Sequence, residues 1–463
     1  MTELPARDAL TQLACGEISA VELTRACLDR ISLVDGAIGA TFAVMERSAL
    51  AEAAAADAAR ARGELLGPLH GVPVGVKDNI DVAGVPTTVG SAFFPDPAAT
   101  DAECVRRVRA AGGVVLAKLA LHELAYGVTC RNRHVHDCNN AWDTARIPGG
   151  SSAGSGAAVA ADLCPVALGT DTGGSVRIPA ALNGVAALRP TPGHIPTTGV
   201  FPVSWTYDVV GPLARSAGEL AAVAAALFDP AAPDPRGLLG SGVRGLRIGV
   251  PTNFFLDHDG NDAEIVEATL AAVEVLRGLG AVRIDVAIPG AERSHELMRT
   301  LIWAEAYAVH RERLATQPER FGDDIRRRLL LGEGVTGAAY AAARNAARAF
   351  ARSTLAAFAS CDVIVAPTTG TTAPLIADSE TIATTDRLTR ATYAWSLAGL
   401  PTVAVPAGLA ANGMPIGIQL ACAPGEDARA LAVAEAYQSV TAWHRLRPPA
   451  LPSHLVVPGA GWE

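Results

Sequence analysis

Paired Cys-x-x-Cys spacing is absent from this sequence, although eight cysteines stand at positions 15, 27, 104, 130, 138, 164, 361 and 422. That excludes the common structural zinc sites and the thioredoxin-like redox motif, and scattered single thiols predict a reducing compartment. Aromatic residues are scarce, at 5%, and charged residues make up only 18%. Acidic residues outnumber basic ones, 47 to 38, for a net charge of −9 with no basic block, which is a poor basis for nucleic-acid binding. No apolar run approaches the ~20 residues that a membrane-spanning helix needs. The opening MTELPARDAL lacks the basic-then-apolar pattern of a secretory signal. A soluble, cytoplasmic protein is the expectation. No internal repeat is present, and the one compositional bias is toward alanine.

What is abundant is apolar: half the chain, with 45 Gly and 30 Pro scattered without period. That composition is globular and turn-rich. At 463 residues the chain can bury a large core without a disulfide or metal staple. Helices are expected over residues 5–34, 46–62, 101–111, 155–163 and 262–279, with an almost wholly helical block at 292–359. Strands are expected at 71–78, 114–117, 166–168, 246–250, 362–366, 402–405 and 415–420. This alternation predicts an α/β fold. The Pro- and Gly-rich stretch 230–245 reads as a linker, and the helical block reads either as a substrate-side wall or as plain packing on the sheet.

Three stretches could carry chemistry. Pro148-Gly149-Gly150-Ser151-Ser152-Ala153-Gly154-Ser155-Gly156 is too rich in Gly and Ser for an ordinary element, and a helix follows it at once, so it is pinned rather than a free linker. Gly169-Thr170-Asp171-Thr172-Gly173-Gly174-Ser175 follows a strand. Its glycines let successive N–H groups converge as an anion nest, with Ser175 at an expected helix start. Taken alone, Ser175 reads as an N-cap. Lys77 ends an apolar strand, where it must snorkel, pair, or lose its proton and act as a base.

Together, in this order and spacing, these pieces resemble the amidase signature family. The resemblance is strong over residues 66–216. There it includes Leu69-His70-Gly71-Val72-Pro73, Lys77-Asp78, His122-Glu123-Leu124-Ala125-Tyr126-Gly127 and Gly211-Pro212-Leu213-Ala214-Arg215-Ser216. It continues weakly through Val365-Ala366-Pro367-Thr368, Gly399-Leu400-Pro401-Thr402 and Gly417-Ile418-Gln419-Leu420. The resemblance implies one domain over 1–463 with a mixed central β-sheet covered on both faces by helices. Its parts would be N-terminal helices (1–62), a catalytic core (63–230), the helical insertion (292–359) and a return to the core (360–463).

It also implies a Ser–cis-Ser–Lys triad: Ser175 as nucleophile, Ser151 as the bridging serine with a cis peptide bond from Gly150, and Lys77 as base. The N–H groups of Thr172, Gly173, Gly174 and Ser175 would form the oxyanion hole, with Ser152, Asp171 and Arg177 in support. The implied activity is hydrolysis of a small, neutral aryl or alkyl amide, closest to the mandelamide and indoleacetamide branch, with water and no cofactor. Tyr126, Gly127, Trp205 and Tyr207 are candidates for the substrate pocket, and Trp303, Tyr307, Phe321, Tyr340 and Phe201 for its wall. A carbamate or urea-type substrate, a partner-dependent role within a tRNA-dependent amidotransferase, and a homodimer all remain open.

The chain departs from the family pattern at Cys130, His134, His136 and Cys138, a cluster that reads as a zinc site or as a drifted surface loop. Gly150-Ser151-Ser152-Ala153-Gly154 also satisfies the G-x-S-x-G nucleophile elbow, with Ser152 as nucleophile. That elbow needs a strand directly before it, and 142–148 does not read as one.

Overall fold

The computed structural model describes residues 12–449 apart from 14, 65, 258, 380 and 381. Eleven strands form one sheet: β1 (Thr41–Val44), β2 (Pro73–Lys77), β3 (Val114–Leu119), β4 (Val166–Asp171), β5 (Ala186–Arg189), β6 (Val209–Ala214), β7 (Arg247–Pro251), β8 (Val282–Val286), β9 (Val363–Pro367), β10 (Thr402–Leu409) and β11 (Pro415–Ala421). Their order is β1-β3-β2-β4-β6-β5-β10-β11-β9-β7-β8. The sheet is mixed: β2 runs parallel to β3 and β4, and β7 parallel to β8 and β9, while the central pairs are antiparallel. β2, β3 and β4 are buried along their whole length, as continuous apolar runs covered on both faces should be.

Helices cover the sheet. Ala153–Ala160 packs on β2, β3 and β4, Arg177–Asn183 on β5, β10 and β11, and Ala217–Leu227 with Asp427–Val440 against β5, β6 and β10. The expected helical block consists of Ser294–Thr316, Asp323–Leu330 and Gly337–Ala357. It has its own core, in which Trp395 stacks on Phe255 at 4.5 Å and Met298, Leu301 and Phe321 are fully enclosed. Phe321, a candidate for the substrate wall, is therefore a core residue.

Two boundaries differ from expectation. Within the described part of 5–34, Gly16 takes a left-handed φ of 76° and a new helix, Ala20–Ile38, starts behind a capping box of Ser19 and Glu22. Residues 5–11 lie outside the described residues. Ser175 does not open a helix: that helix begins two residues later, at Arg177. Residues 142–151 hold no strand ahead of Ser152, so the nucleophile-elbow geometry is not formed. The stretch 230–245 carries no helix or strand.

Candidate active site

β2 and β4 are parallel, so their carboxyl ends open at the same edge of the sheet, where α/β folds place ligands. Lys77 is the last residue of β2 and is fully buried. Its Nζ lies 2.8 Å from Ser151 Oγ and 2.8 Å from Thr170 Oγ1. Thr170, near the end of β4, also accepts from Asn79 Nδ2 at 3.2 Å. Burial pushes the Lys77 ammonium down to about 7, and the carboxylates of Asp208 and Asp171 oppose this without touching it. Near neutral pH this amine is therefore divided between its charged and neutral forms.

The Ser/Gly loop supplies Ser151, and the Gly150–Ser151 peptide bond is cis. Ser152, next along, stitches three pieces together. Its N–H donates to the Ser175 carbonyl at 3.1 Å, and its Oγ donates to Thr170 O at 3.1 Å and accepts from Thr170 N–H at 3.2 Å. With these bonds Ser152 anchors the Ser151 loop to β4 and to the Ser175 turn. Lys77, Ser151 and Ser152 are buried, while Ser175 is half-buried, so Ser175 is the member of the group that meets open space.

Below that turn sits a buried ion cluster. Burial alone would raise the Asp171 carboxyl, but Arg177 and Arg189 hold it well below the usual carboxylate range. Arg177 meets it through Nε and Nη2, both at 3.0 Å, and Arg189 through Nη1 at 2.9 Å. Asp171 Oδ1 also accepts the Gly174 N–H at 2.8 Å, so that donor is already engaged. Arg177 reaches on to Thr392 O, Ser396 Oγ and Gln419 Oε1, at 3.2, 2.7 and 3.1 Å. Thr392 Oγ1 in turn donates to Gly173 O at 2.6 Å. Gly174 has φ of 138°, and a Cβ there would stand 2.5 Å from Thr392 Oγ1, so only glycine fits. The helix Ile382–Ala398 thus clamps the Gly173-Gly174 turn.

The sequence alone did not single out Thr170, Asp208, Arg189, Thr392, Ser396 or Gln419 for this site. Asp208 accepts from Thr172 Oγ1 at 2.5 Å and from the N–H groups of Val203 and Ser204, and burial lifts its carboxyl to about 6. Gln419 does lie inside a quoted motif, but nothing local marks it as a partner of Arg177.

The substrate-side candidates are spread out. Tyr126 and Gly127 are half-buried beside the Ser151 loop, and a Cβ on Gly150 would stand 2.8 Å from Gly127 O. Burial raises the phenols of Tyr126 and Tyr393, and both lie in the field of Arg328 and Arg299. Tyr393 packs on Gly173. Trp205 is 59% exposed, and Tyr207 is buried with the Arg344 guanidinium 6.0 Å from its ring centre. Phe201 packs on Phe94, Tyr340 donates to Glu305, and Trp303 lies under Arg299.

The cysteine–histidine cluster does not converge. Cys130 and Cys138 are buried, His136 is exposed, and His134 sits 3.4 Å from Glu123. Among the described residues no three His, Cys, Asp or Glu side chains are arranged to hold a metal ion, and no helix is long and apolar enough to cross a membrane.

Residues 22–431 match the Amidase family. The chain belongs to this family. It is 38% identical to an amidase of Pseudomonas putida, over 97% of this chain and 98% of that one. It is also 38% identical to one of the subunits of the glutamyl-tRNA(Gln) amidotransferase of Chloroflexus aggregans, over 95% and 97%. The solved peptide amidase of Stenotrophomonas maltophilia superposes with a TM-score of 0.84 at 31% identity, covering 96% of this chain and 98% of that one. The protein is thus an amidohydrolase acting on C–N bonds, built on the α/β amidase fold.

Proposed function

We propose that this amidase hydrolyses a small neutral carboxamide by acyl transfer to Ser175. The observation that carries the reading is the buried Lys77 amine, 2.8 Å from Ser151 Oγ and lowered by its burial. An amine lowered to about 7 can take a proton at neutral pH. Ser175 Oγ attacks the amide carbon while its proton passes to Ser151, and the Ser151 proton passes to Lys77. The N–H groups of Thr172, Gly173 and Ser175 face the developing oxyanion, and that of Gly174 instead holds Asp171 in place. The C–N bond then breaks, and the amine leaves with the proton returned through Ser151. Water attacks the acyl-enzyme by the reverse relay and releases the acid.

The wall beside the turn is Tyr126, Gly127 and Tyr393, with neutral phenols, and it suits an uncharged aryl or alkyl group. Carbamates and ureas present the same carbonyl and belong in the same assay. The test is ammonia or arylamine release from a panel of neutral amides, anilides, carbamates and ureas, with Ser175→Ala as the blank. Turnover that vanishes in Ser175→Ala supports the reading, and wild-type activity in that variant refutes it.

A second reading follows from the amidotransferase relatives and from the two arginines near Tyr126 and Tyr393. In it the substrate carries a carboxylate, as glutamine does, and turnover needs partner subunits. Ammonia release from glutamine, with silence toward neutral amides, would select it.

A further inference from the structure

The segment after β3 touches both the Ser151 loop and the helical block, and one buried histidine makes both contacts. The backbone N–H of His122 donates to the Ser151 carbonyl at 3.2 Å. Its ring Nδ1 accepts the Cys130 N–H at 3.0 Å, which places the ring proton on Nε2. Nε2 then donates to Asp324 Oδ2 at 3.2 Å. Asp324 is the second residue of helix Asp323–Leu330. The neighbouring Glu123 holds the same helix end, accepting the Gly322 N–H with both carboxylate oxygens at 3.1 and 3.0 Å. Gly127 makes room for the ring: a Cβ there would stand 2.3 Å from His122 Nε2. Arg328, whose charge reaches Tyr126 and Tyr393, stands one turn beyond Asp324.

We propose that the His122–Asp324 hydrogen bond is a latch that fixes the substrate-side helix against the Ser151 loop, making His122 and Asp324 positioning residues for the reaction. This rests on Ser151 and Ser175 acting as described above. A misplaced catalytic loop slows chemistry while leaving the fold and ground-state binding largely alone.

Asp324 is 42% exposed, so its replacement is compatible with folding. The experiment compares Asp324→Ala, Asp324→Asn, which keeps an accepting oxygen, and Asp323→Ala, which removes a first-turn carboxylate that is 76% exposed and outside the latch. The readouts are the rate of Ser175 labelling by a fluorophosphonate, kcat and KM on the best amide of the panel, and hydrogen exchange over 122–130. Asp324→Ala is expected to slow labelling and kcat by roughly tenfold with KM little changed, and to raise exchange at 122–130. Asp324→Asn should recover most of the rate, and Asp323→Ala should match wild type. Wild-type labelling in Asp324→Ala, an equal loss in Asp323→Ala, or no recovery in Asp324→Asn would overturn the latch. If wild-type Ser175 takes no label, the hydrolytic reading fails, and unchanged exchange in Asp324→Ala then overturns the latch by itself.

Discussion

Two lysines on adjacent strands are equally buried and differently placed. Lys118 on β3 sits opposite Val76, one residue from Lys77. Its Nζ lies 3.1 Å from Asp78 and donates to Ile80 O at 2.6 Å and Thr87 Oγ1 at 3.0 Å. Burial lowers Lys118 and raises Asp78, and each charge offsets the other's desolvation. Lys77 meets two hydroxyls instead. A buried lysine with a carboxylate in contact remains a structural cation, whereas one facing hydroxyls can give up its proton. The counter-charge, not the burial, separates structure from chemistry here.

The largest way to break the comparison is to exchange each lysine for methionine. Lys77→Met should keep the fold and cut kcat by about 10²–10⁴-fold, the usual contribution of a positioned base, as amide turnover would measure. Lys118→Met should instead leave Asp78 without its partner and cost about 3–5 kcal/mol in denaturant unfolding. Adding Asp78→Asn should restore much of that stability, since it removes the stranded charge. Equal stability losses at the two lysines would erase the distinction.

A smaller effect sharpens it. If neutral Lys77 is the base, kcat/KM should rise with pH through about 7 and level off above, because protonation below that value removes the acceptor. The Asp208 carboxylate favours the charged amine. Asp208→Asn should therefore move that limb to lower pH, a shift that a pH–rate profile would detect. A limb that stays put would remove Asp208 from the account.

Long buried strands and the helical block were legible in the sequence because their apolar patterns are local. β2, β3, β7, β9, β10 and β11 all fall where continuous apolar runs predicted them. β1, a short edge strand with Val44 exposed, and β6, which contains Gly211 and Pro212, were not among the expected strands. The helix Ile382–Ala398 was not legible because its first half is Thr-rich and polar, yet it supplies Thr392 and Ser396 to the site. The site itself was legible only through the family resemblance. Lys77 and Ser151 are 74 residues apart, and Arg177 and Gln419 are 242 apart. No spacing rule links residues brought together by the order of strands in a sheet.

That strand order bears on how the chain is made. β10 and β11 lie between β5 and β9, so they join the strand group of residues 41–214 to that of residues 247–367. During synthesis both groups emerge first, each with an unpaired inner edge open to wrong neighbours. Only when residues 402–421 leave the ribosome can the two halves become one sheet, and only then does Gln419 reach Arg177 beneath the Ser175 turn. A nascent chain stalled before β10 should hold Lys77 and Ser151 and still be inert, so that activity begins late in synthesis and arrives together with the closed sheet.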